Sequence, residues 1–519
     1  MRRNYPKISI HIGINEWSTC YFDCQSQEIY AIRDNDFNVF PSIIAPSWKS
    51  NDDEILFVFG KPAENMKYGQ INYVENIVQF VGKPYSEIPE EIIENSNCPI
   101  IEDQDGNCVF MINHPKAYKQ YQFSAKELFK IQLTKIKELI LNRSQHFDSA
   151  NLSVCVPTII NEIQKEEIRK AFKEIGLRVG YFIEEPCASV YEYQYFKKQK
   201  LGTTLVVDIE QNEMNVSICE EKDEEITLMC SERYPRFGKQ IFIELLMSMI
   251  VEQLETYDYE NVDDFRINGN ETQQRRLEKM KCIQKLKNEA ERIFEVINSR
   301  KVSFVDTERI CSNNSELIDD DVVIVREEFE HRIREVELLT SIRNNVNEVL
   351  RRANFRTNHI ESVILLGPTM NIPIIREHFN LEFGKNKIKS FDRQYEKEER
   401  SIILSKGSLR NYHYISRVIL NNERQARFTV SMKLNEYKNI IAKRGTELPI
   451  QYSTSFLING NQQREFSFDI VEYDSEFGET CIDTYYIYGK DIPKRNEVII
   501  NVSIQIGRNK MIRIDSVIE

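Results

Sequence analysis

Compact apolar runs, each bounded by Pro, Gly or charge, recur at Ile8 to Ile12, Leu152 to Val156, Leu205 to Asp208 and Val363 to Leu366. Runs of this length and setting predict buried strands of an α/β sheet. Between them the apolar period lengthens to that of amphipathic helices. Ser124 and Glu127 form a capping box, with Phe123 placed as a staple, ahead of Leu128, Ile131, Ile136, Leu139 and Ile140. Asn161 caps the next helix, whose stripe is Ile168, Ala171, Phe172 and Ile175, closed by Gly176. Two longer helices follow. One has its stripe at Leu277, Met280, Ile283, Leu286, Ala290, Ile293 and Ile297, the other at Phe329, Ile333, Val336, Ile342, Val346 and Val349.

After about Ser416 the helical period stops and alternation takes over, as in Arg427-Phe-Thr-Val-Ser-Met432, Glu465-Phe-Ser-Phe-Asp-Ile470 and Val498-Ile-Ile-Asn-Val-Ser-Ile504. Turns at Asn459-Gly460 and Gly507-Arg-Asn-Lys510 separate the runs, so this part predicts a β-sandwich. Nothing is expected beyond its last strand. A faint duplication runs through the earlier part. Ser153-Val-Cys-Val-Pro157 before a helix parallels Ser362-Val-Ile-Leu-Leu-Gly-Pro368 before a helix, and Ile8 to Asn15 parallels Leu205 to Asn212. Two related α/β lobes produce this pattern.

Composition narrows the class. The 519 residues suffice for about three to four domain-sized units. With 41% hydrophobic and 29% charged residues the chain can bury a large core. The longest apolar stretch, 241–254, is interrupted by Glu244 and Glu252 and is too short to span a bilayer. The start, Met-Arg-Arg-Asn-Tyr-Pro, lacks the apolar core of a signal peptide, so a cytoplasmic protein without membrane contact is expected. Eleven scattered cysteines argue against a disulfide framework; Cys20 and Cys24 are close, but nothing completes a zinc site, and no metal is expected. A net charge of −13 disfavours a surface that grips nucleic acid throughout, while leaving room for local basic patches. The acidic runs at 220–225 and 319–321 read as solvated loops.

The order of segments resembles the seventy-kilodalton heat-shock (DnaK-type) chaperone family over nearly the whole chain. The residues carrying the resemblance are Ile8-Ser-Ile-His-Ile-Gly13, Asn72-Tyr-Val to Val81-Gly82, Val154-Cys-Val-Pro157 and Gly176-Leu-Arg-Val. They continue with Ile183-Glu-Glu-Pro186, Leu205-Val-Val-Asp208, Arg236-Phe-Gly238, Leu365-Leu-Gly-Pro-Thr-Met-Asn-Ile-Pro373 and Gly445-Thr-Glu-Leu-Pro449. The resemblance implies an actin-like (ribonuclease-H-like, duplicated) two-lobed ATPase-type domain over 1–416, with lobe I at about 1–200, lobe II at about 201–390 and a return segment 391–416. A β-sandwich of peptide-binding type over 417–519 would follow, with no helical lid.

Departures from the family pattern concentrate where it binds nucleotide. The first phosphate loop, Asp-Leu-Gly-Thr-Thr in the family, reads His11-Ile12-Gly13-Ile14-Asn15. The second, Asp-Leu-Gly-Gly-Gly-Thr-Phe-Asp, uses bare glycines so that backbone N–H groups approach phosphate. Here it reads Asp208-Ile-Glu210-Gln211-Asn212-Glu213-Met214-Asn215. Of His11, Ile14, Val78, Glu185, Asp208, Glu213 and Asn215, only Glu185 and Asp208 keep the family residue. In the adenosine-contacting helix Phe294 and Glu295 replace a Lys and an Arg, while Glu291 and Arg292 survive; Gly367 survives in the adenosine loop, with Pro368 and Asn371 beside it. The degenerate cleft thus retains Gly13, Asn15, Glu210, Glu213, Glu291, Arg292 and Gly367. No ATPase activity and no cofactor are expected, with a structural ATP or ADP as the exception left open. Glu185 and Asp208 read as relics, and His11, with no Ser or Cys partner suggested nearby, as a buried hydrogen-bonded histidine. Pro157 and Lys165 align with positions that couple lobe closure to the peptide domain, or are simply a strand end and a surface lysine.

Tyr412-His-Tyr-Ile-Ser-Arg417 is not the acidic, leucine-rich linker of active members. The combination is similar to the atypical lidless subunit of the ribosome-associated complex, which pairs with a zuotin-type J-protein. That resemblance implies a pseudo-ATPase scaffold that binds a J-domain protein, reaches the ribosome through it, and works beside an active chaperone of the same family. It implies no sequence-specific contact with nucleic acid. The alternatives are a nucleotide-exchange factor for an active chaperone and a structural subunit of a large assembly. Phe456 and Phe468 either line a partner groove on the sandwich or belong to its core.

Overall fold

The computed structural model describes residues 8–518 except 24–25, 27, 35, 49–54, 67–71, 95, 115–118, 144–151, 223–224, 257–261, 267–271, 311–321, 390–399, 416–428, 435–436, 443–449, 460, 462–464, 475–477, 489–491 and 507–511. Cys24, the acidic run at 319–321, the motif at 445–449, the turn at 507–510 and the boundary at Ser416 therefore lie outside the described residues. The chain divides into two compact units, Met1–Lys198 with Lys397–Glu519, and Gln199–Glu396.

In the first unit the sheet order is Val179–Glu184, Leu152–Val156, Ile8–Ile12, Glu16–Asp23, Glu28–Ala31, with Val39–Pro41 also on Glu16–Asp23. Ile8–Ile12 runs parallel to Leu152–Val156 and antiparallel to Glu16–Asp23. Both of these runs are buried on every residue, as central strands covered on both faces must be. The helices begin where local hydrogen bonding says they should. Ser124 N–H donates to Glu127 Oε2 at 2.8 Å and Glu127 N–H to Ser124 Oγ at 3.2 Å, opening helix Ala125–Arg143. Asn161 Oδ1 accepts from Gln164 N–H at 2.9 Å and starts helix Glu162–Glu174, which ends before Gly176 at φ 75°.

The second unit repeats the pairing scheme. Its order is Glu225–Pro235, Glu213–Lys222, Thr204–Ile209, Ser362–Leu366, Ile388–Lys389, with Thr204–Ile209 antiparallel to its chain successor and parallel to Ser362–Leu366. The segments that the duplication pairs, Ile8 with Leu205 and Ser153 with Ser362, thus occupy equivalent strands. Two helix readings need correction. On helix Gln273–Ile297 the buried stripe is Cys282, Leu286, Ala290, Ile293 and Ile297, with Met280 51% exposed. The long helix expected through Val336 is two, Arg326–Glu335 and Leu338–Arg352. Glu337 between them is left-handed at φ 56°, and Val336 is exposed. A backbone there for a residue with a Cβ ends one helix and redirects the next.

The C-terminal strands form two antiparallel sheets, ordered Tyr437–Ala442, Thr429–Leu434, Glu465–Asp474, Gly478–Tyr488 and Ile450–Ile458, Val498–Ile506, Ile512–Ile518. Phe466, Phe468 and Ile470 from one sheet and Val498, Ile500, Val502 and Ile504 from the other share one apolar cluster. Among the described residues no helix is long and apolar enough to cross a membrane.

Candidate functional site

His11 lies on the central strand of the first unit and is wholly buried. Its Nε2 is 2.7 Å from Glu185 Oε1, and its Nδ1 is 2.6 Å from Ser401 Oγ. Glu185 opens helix Glu185–Lys197, where the helix N-terminus favours a negative charge. Its other oxygen, Oε2, accepts from Arg400 Nη2 at 2.8 Å, and both side chains are 7% exposed. Burial pushes the Glu185 carboxyl up, but the Arg400 guanidinium and the His11 N–H outweigh it and hold it at about 2. Burial also lowers His11 below its ordinary 6.5, against the raising effect of Glu185. A neutral imidazole facing an ionised carboxylate must donate from Nε2, so Nδ1 accepts from the Ser401 hydroxyl.

Sequence proximity gave no hint of Ser401 as a partner for His11; the structure supplies it from helix Arg400–Ile415. The order Ser–His–Glu is that of a nucleophile relay. Here Ser401 and His11 are fully buried and Glu185 is 6% exposed, so no substrate has access to Oγ and the relay is a fixed polar joint. Cys155, opposite His11 in register, is no alternative nucleophile, because burial raises its thiol far above 9. The same helix is fastened by further buried hydroxyls. Ser18 Oγ donates to the Ser401 carbonyl at 2.7 Å, Ser9 Oγ to the Ser405 carbonyl at 2.7 Å, and Ser153 Oγ to the Ser408 carbonyl at 3.1 Å. Arg410 meets the buried Glu192 at 3.3 Å. Gly13 closes this end: its N–H donates to the Glu16 carbonyl at 3.1 Å, and a Cβ there would sit 2.5 Å from that oxygen and 2.8 Å from the His11 ring. The Asn15 carbonyl accepts from Ser42 N–H at 2.8 Å. Val78 is wholly buried in the apolar core. Lys165 pairs with Glu184 at 2.6 Å and Glu162 at 2.9 Å, so it is more than a free surface lysine.

In the second unit Asp208 is the penultimate residue of strand Thr204–Ile209, paired in register with Asn215 and Leu366. The turn that follows carries two buried carboxylates, Glu210 and Glu213. The Asn215 amide donates to both, to Glu210 Oε1 and Glu213 Oε1 at 3.2 Å each. Arg233 Nε donates to Glu213 Oε2 at 2.6 Å. Gly367, at φ 88°, passes so close that a Cβ would lie 2.1 Å from the Ile209 carbonyl oxygen. Lys239 ties the turn to helix Gln273–Ile297: its N–H donates to the Glu210 carbonyl at 2.8 Å, and its Nζ lies 4.8 Å over the Phe294 ring and 2.8 Å from Glu295. Arg292 is turned to its own surroundings, with Nε 3.0 Å from Glu289 and Nη2 on the Phe304 carbonyl. Glu291 is half-buried on the same helix. Phe468 is 2% exposed and packs against Phe456 at 6.3 Å and Tyr485 at 5.3 Å. Phe468 belongs to the buried cluster, and Phe456 is partly buried against it.

His11, Gly13 and Glu185 are thus brought together in one unit, and Asp208, Glu210, Glu213 and Gly367 at one sheet end of the other. Arg400, Ser401, Arg233 and Lys239 escaped sequence reading. The signal for the first two was the spacing of Ser401, Ser405 and Ser408 on one helical face.

A family model described as Hsp70 protein matches residues 20–517. The chain is 22% identical to the chaperone protein HscA of Buchnera aphidicola subsp. Baizongia pistaciae, over 99% of this chain and 92% of that protein. It is 23% identical to the chaperone protein dnaK1 of Nostoc sp., over 84% of this chain and 60% of that one. To the chaperone protein dnaK of Thalassiosira pseudonana it is 25% identical, over 68% and 54% respectively. A match from the second strand to the last, over sheets that repeat one pairing scheme, leaves one conclusion: the chain belongs to the Hsp70 family.

Proposed function

We propose that this Hsp70-family chain is a scaffold that does not hydrolyse ATP, and that it holds a J-domain protein and supports folding at the ribosome in the cytoplasm. The observation that carries this reading is the turn after Thr204–Ile209, where buried Glu210 and Glu213 are fixed by Asn215 and Arg233. The family loop at this place offers bare amides. A phosphate oxygen about 4 Å from an uncompensated carboxylate meets repulsion of about 4 kcal/mol at an effective dielectric of 20, which Arg233 offsets at Glu213. Phosphoryl transfer depends on positioned cations, yet Val78 has no charge and Glu185 is already paired with Arg400. The residues present do not fit a nucleoside triphosphate, and no step is routed through one.

What such a fold retains is surface. Hsp70 chaperones generally work with J-proteins, and the chain resembles a family member that does so as a scaffold. Two measurements test the proposal on the full chain. Titration with a fluorescent ATP analogue and a phosphate-release assay should give no turnover; turnover lost on Glu185→Ala would sink the non-hydrolysing reading. Gentle purification from native lysate should bring down a roughly equimolar J-protein that sediments with ribosomes. An active chaperone without ribosomes would reassign the chain as an exchange factor, and neither partner would mean that the fold serves as architecture.

A further inference from the structure

We propose that His378 and Glu382, one turn apart on helix Pro373–Phe383, bind a zinc ion through the imidazole Nε2 and a carboxylate oxygen. Nε2 of His378 and Oε2 of Glu382 face each other at 3.4 Å, and each side chain is 16% exposed. Both atoms are shielded from solvent, yet neither has a hydrogen-bond partner. An unpaired buried polar atom is costly, and an ion or a water held between two of them is what removes the cost.

Two other His–carboxylate pairs differ from this one. His11 Nε2 meets Glu185 at 2.7 Å, the length of a direct hydrogen bond. His331 and Glu335 share the i, i+4 spacing at 3.2 Å, but they are 67% and 48% exposed, and water serves both. His378 and Glu382 have their facing atoms shielded and stand apart by more than a hydrogen bond. Zinc binds an imidazole nitrogen at about 2.0–2.1 Å and a carboxylate oxygen at about 2.0–2.2 Å. At those distances two atoms 3.4 Å apart subtend about 110° at the ion, the tetrahedral value. A separation of 2.7 Å would close the angle to about 80°.

The donor set chooses the ion. Calcium and magnesium take oxygen shells, and copper(II) prefers a tetragonal one. One imidazole and one carboxylate at a tetrahedral angle suit zinc. Burial lowers His378 below its ordinary 6.5, which keeps the ring neutral and its lone pair free for a metal. Burial raises Glu382 above its ordinary 4.5, and a bound dication reverses that. Arg343, on helix Leu338–Arg352, is the cation whose field reaches both groups, and it opposes a second positive charge. Among the described residues no third His, Cys, Asp or Glu completes a set here, so water supplies the remaining ligands. Two protein ligands hold zinc reversibly, and the site fills when zinc is supplied. Both belong to one helix of the second unit, so the site does not depend on the scaffold reading.

The test is isothermal titration of zinc chloride into the full chain stripped of metal, with cobalt(II) absorption as the readout of geometry. His378→Gln should lose one equivalent of zinc and the cobalt bands of a tetrahedral shell, with an unchanged circular-dichroism melt. His331→Gln, which removes the exposed pair of the same spacing, should bind as the unaltered chain does. Glu382→His should bind zinc about tenfold more tightly, since two histidines at i and i+4 present two nitrogens on one helical face. Arg343→Gln should also tighten binding, by removing the opposing charge. The proposal is overturned if His378→Gln takes up as much zinc as the unaltered chain, if His331→Gln loses as much, or if Glu382→His gains nothing. Octahedral cobalt bands that depend on His378 also overturn it, in favour of a hydrated ion held by charge alone.

Discussion

Arg400→Met removes the guanidinium that balances Glu185 while keeping most of the side chain's length. Both partners are 7% exposed, so water does little to replace the lost charge. Deleting one member of a buried pair costs about 3–5 kcal/mol. The proton equilibrium gives a second figure: a carboxyl ordinarily at 4.5 and held at about 2 in the folded chain stabilises it by about 3 kcal/mol. The folded value is the lower one. That stability is therefore complete above about pH 4.5 and is lost as pH falls towards about 2. His11 adds an acid sensitivity at higher pH. Its folded value lies below 6.5, so its contribution is present above 6.5 and fades as pH falls below it. With Arg400 gone, His11 is left as the countercharge to Glu185, and the penalty should be smaller at about pH 5.5 than at about pH 8. Urea denaturation followed by tryptophan fluorescence reads this directly, because both tryptophans, Trp17 and Trp48, lie in the first unit. Glu185→Gln added to Arg400→Met should recover much of the loss. A loss below about 1 kcal/mol, a double variant no better than the single, or an identical penalty at both pH values would refute the reasoning.

Gly407→Ala should destabilise the first unit, although Gly to Ala inside a helix ordinarily gains about 1 kcal/mol: the new Cβ would lie 1.9 Å from the Ala188 carbonyl oxygen. The same denaturation assay reads the sign. Phe468→Ala should cost about 3–5 kcal/mol and unfold the C-terminal sheets first, seen as new protease cleavage after residue 429. Metal chelation should leave the melting temperature unchanged, checked by scanning calorimetry with and without EDTA; a drop of several degrees would mean that a bound cation contributes.

Much of the architecture was legible because strand burial and helix capping are local signals. Ile8–Ile12 and Leu152–Val156 announce themselves by compact, mainly apolar runs, and Asn161 and Ser124 by the residue three positions on. The break at Glu337 was not legible, since the apolar spacing continues through Val336 and a left-handed residue other than glycine leaves no sequence mark. Met280 fits the stripe by spacing but lies outward, because the helix uses Cys282 and Leu286 instead. At the site, His11 and Glu185 were visible as residues, but their partners were not. Ser401 lies 390 positions from His11 and Arg400 215 from Glu185, and the serine spacing on their helix marks a polar face without naming its partner.

The same physical rule governs the buried carboxylates of each unit. A buried carboxylate must find a countercharge, find hydrogen-bond donors, or take up a proton. In the first unit Glu185 finds Arg400 and Glu192 finds Arg410; in the second Glu213 finds Arg233 and Glu289 finds Arg292. Every one of these cations belongs to the chain and is delivered by a strand or helix of the same unit. Gly13 and Gly367 sit where a side chain would strike backbone, whereas the turn after Thr204–Ile209 carries Glu210, Gln211 and Asn212. Removing any one of these cations leaves its carboxylate to find another donor or take up a proton, and Arg400→Met is the substitution at which that demand is read.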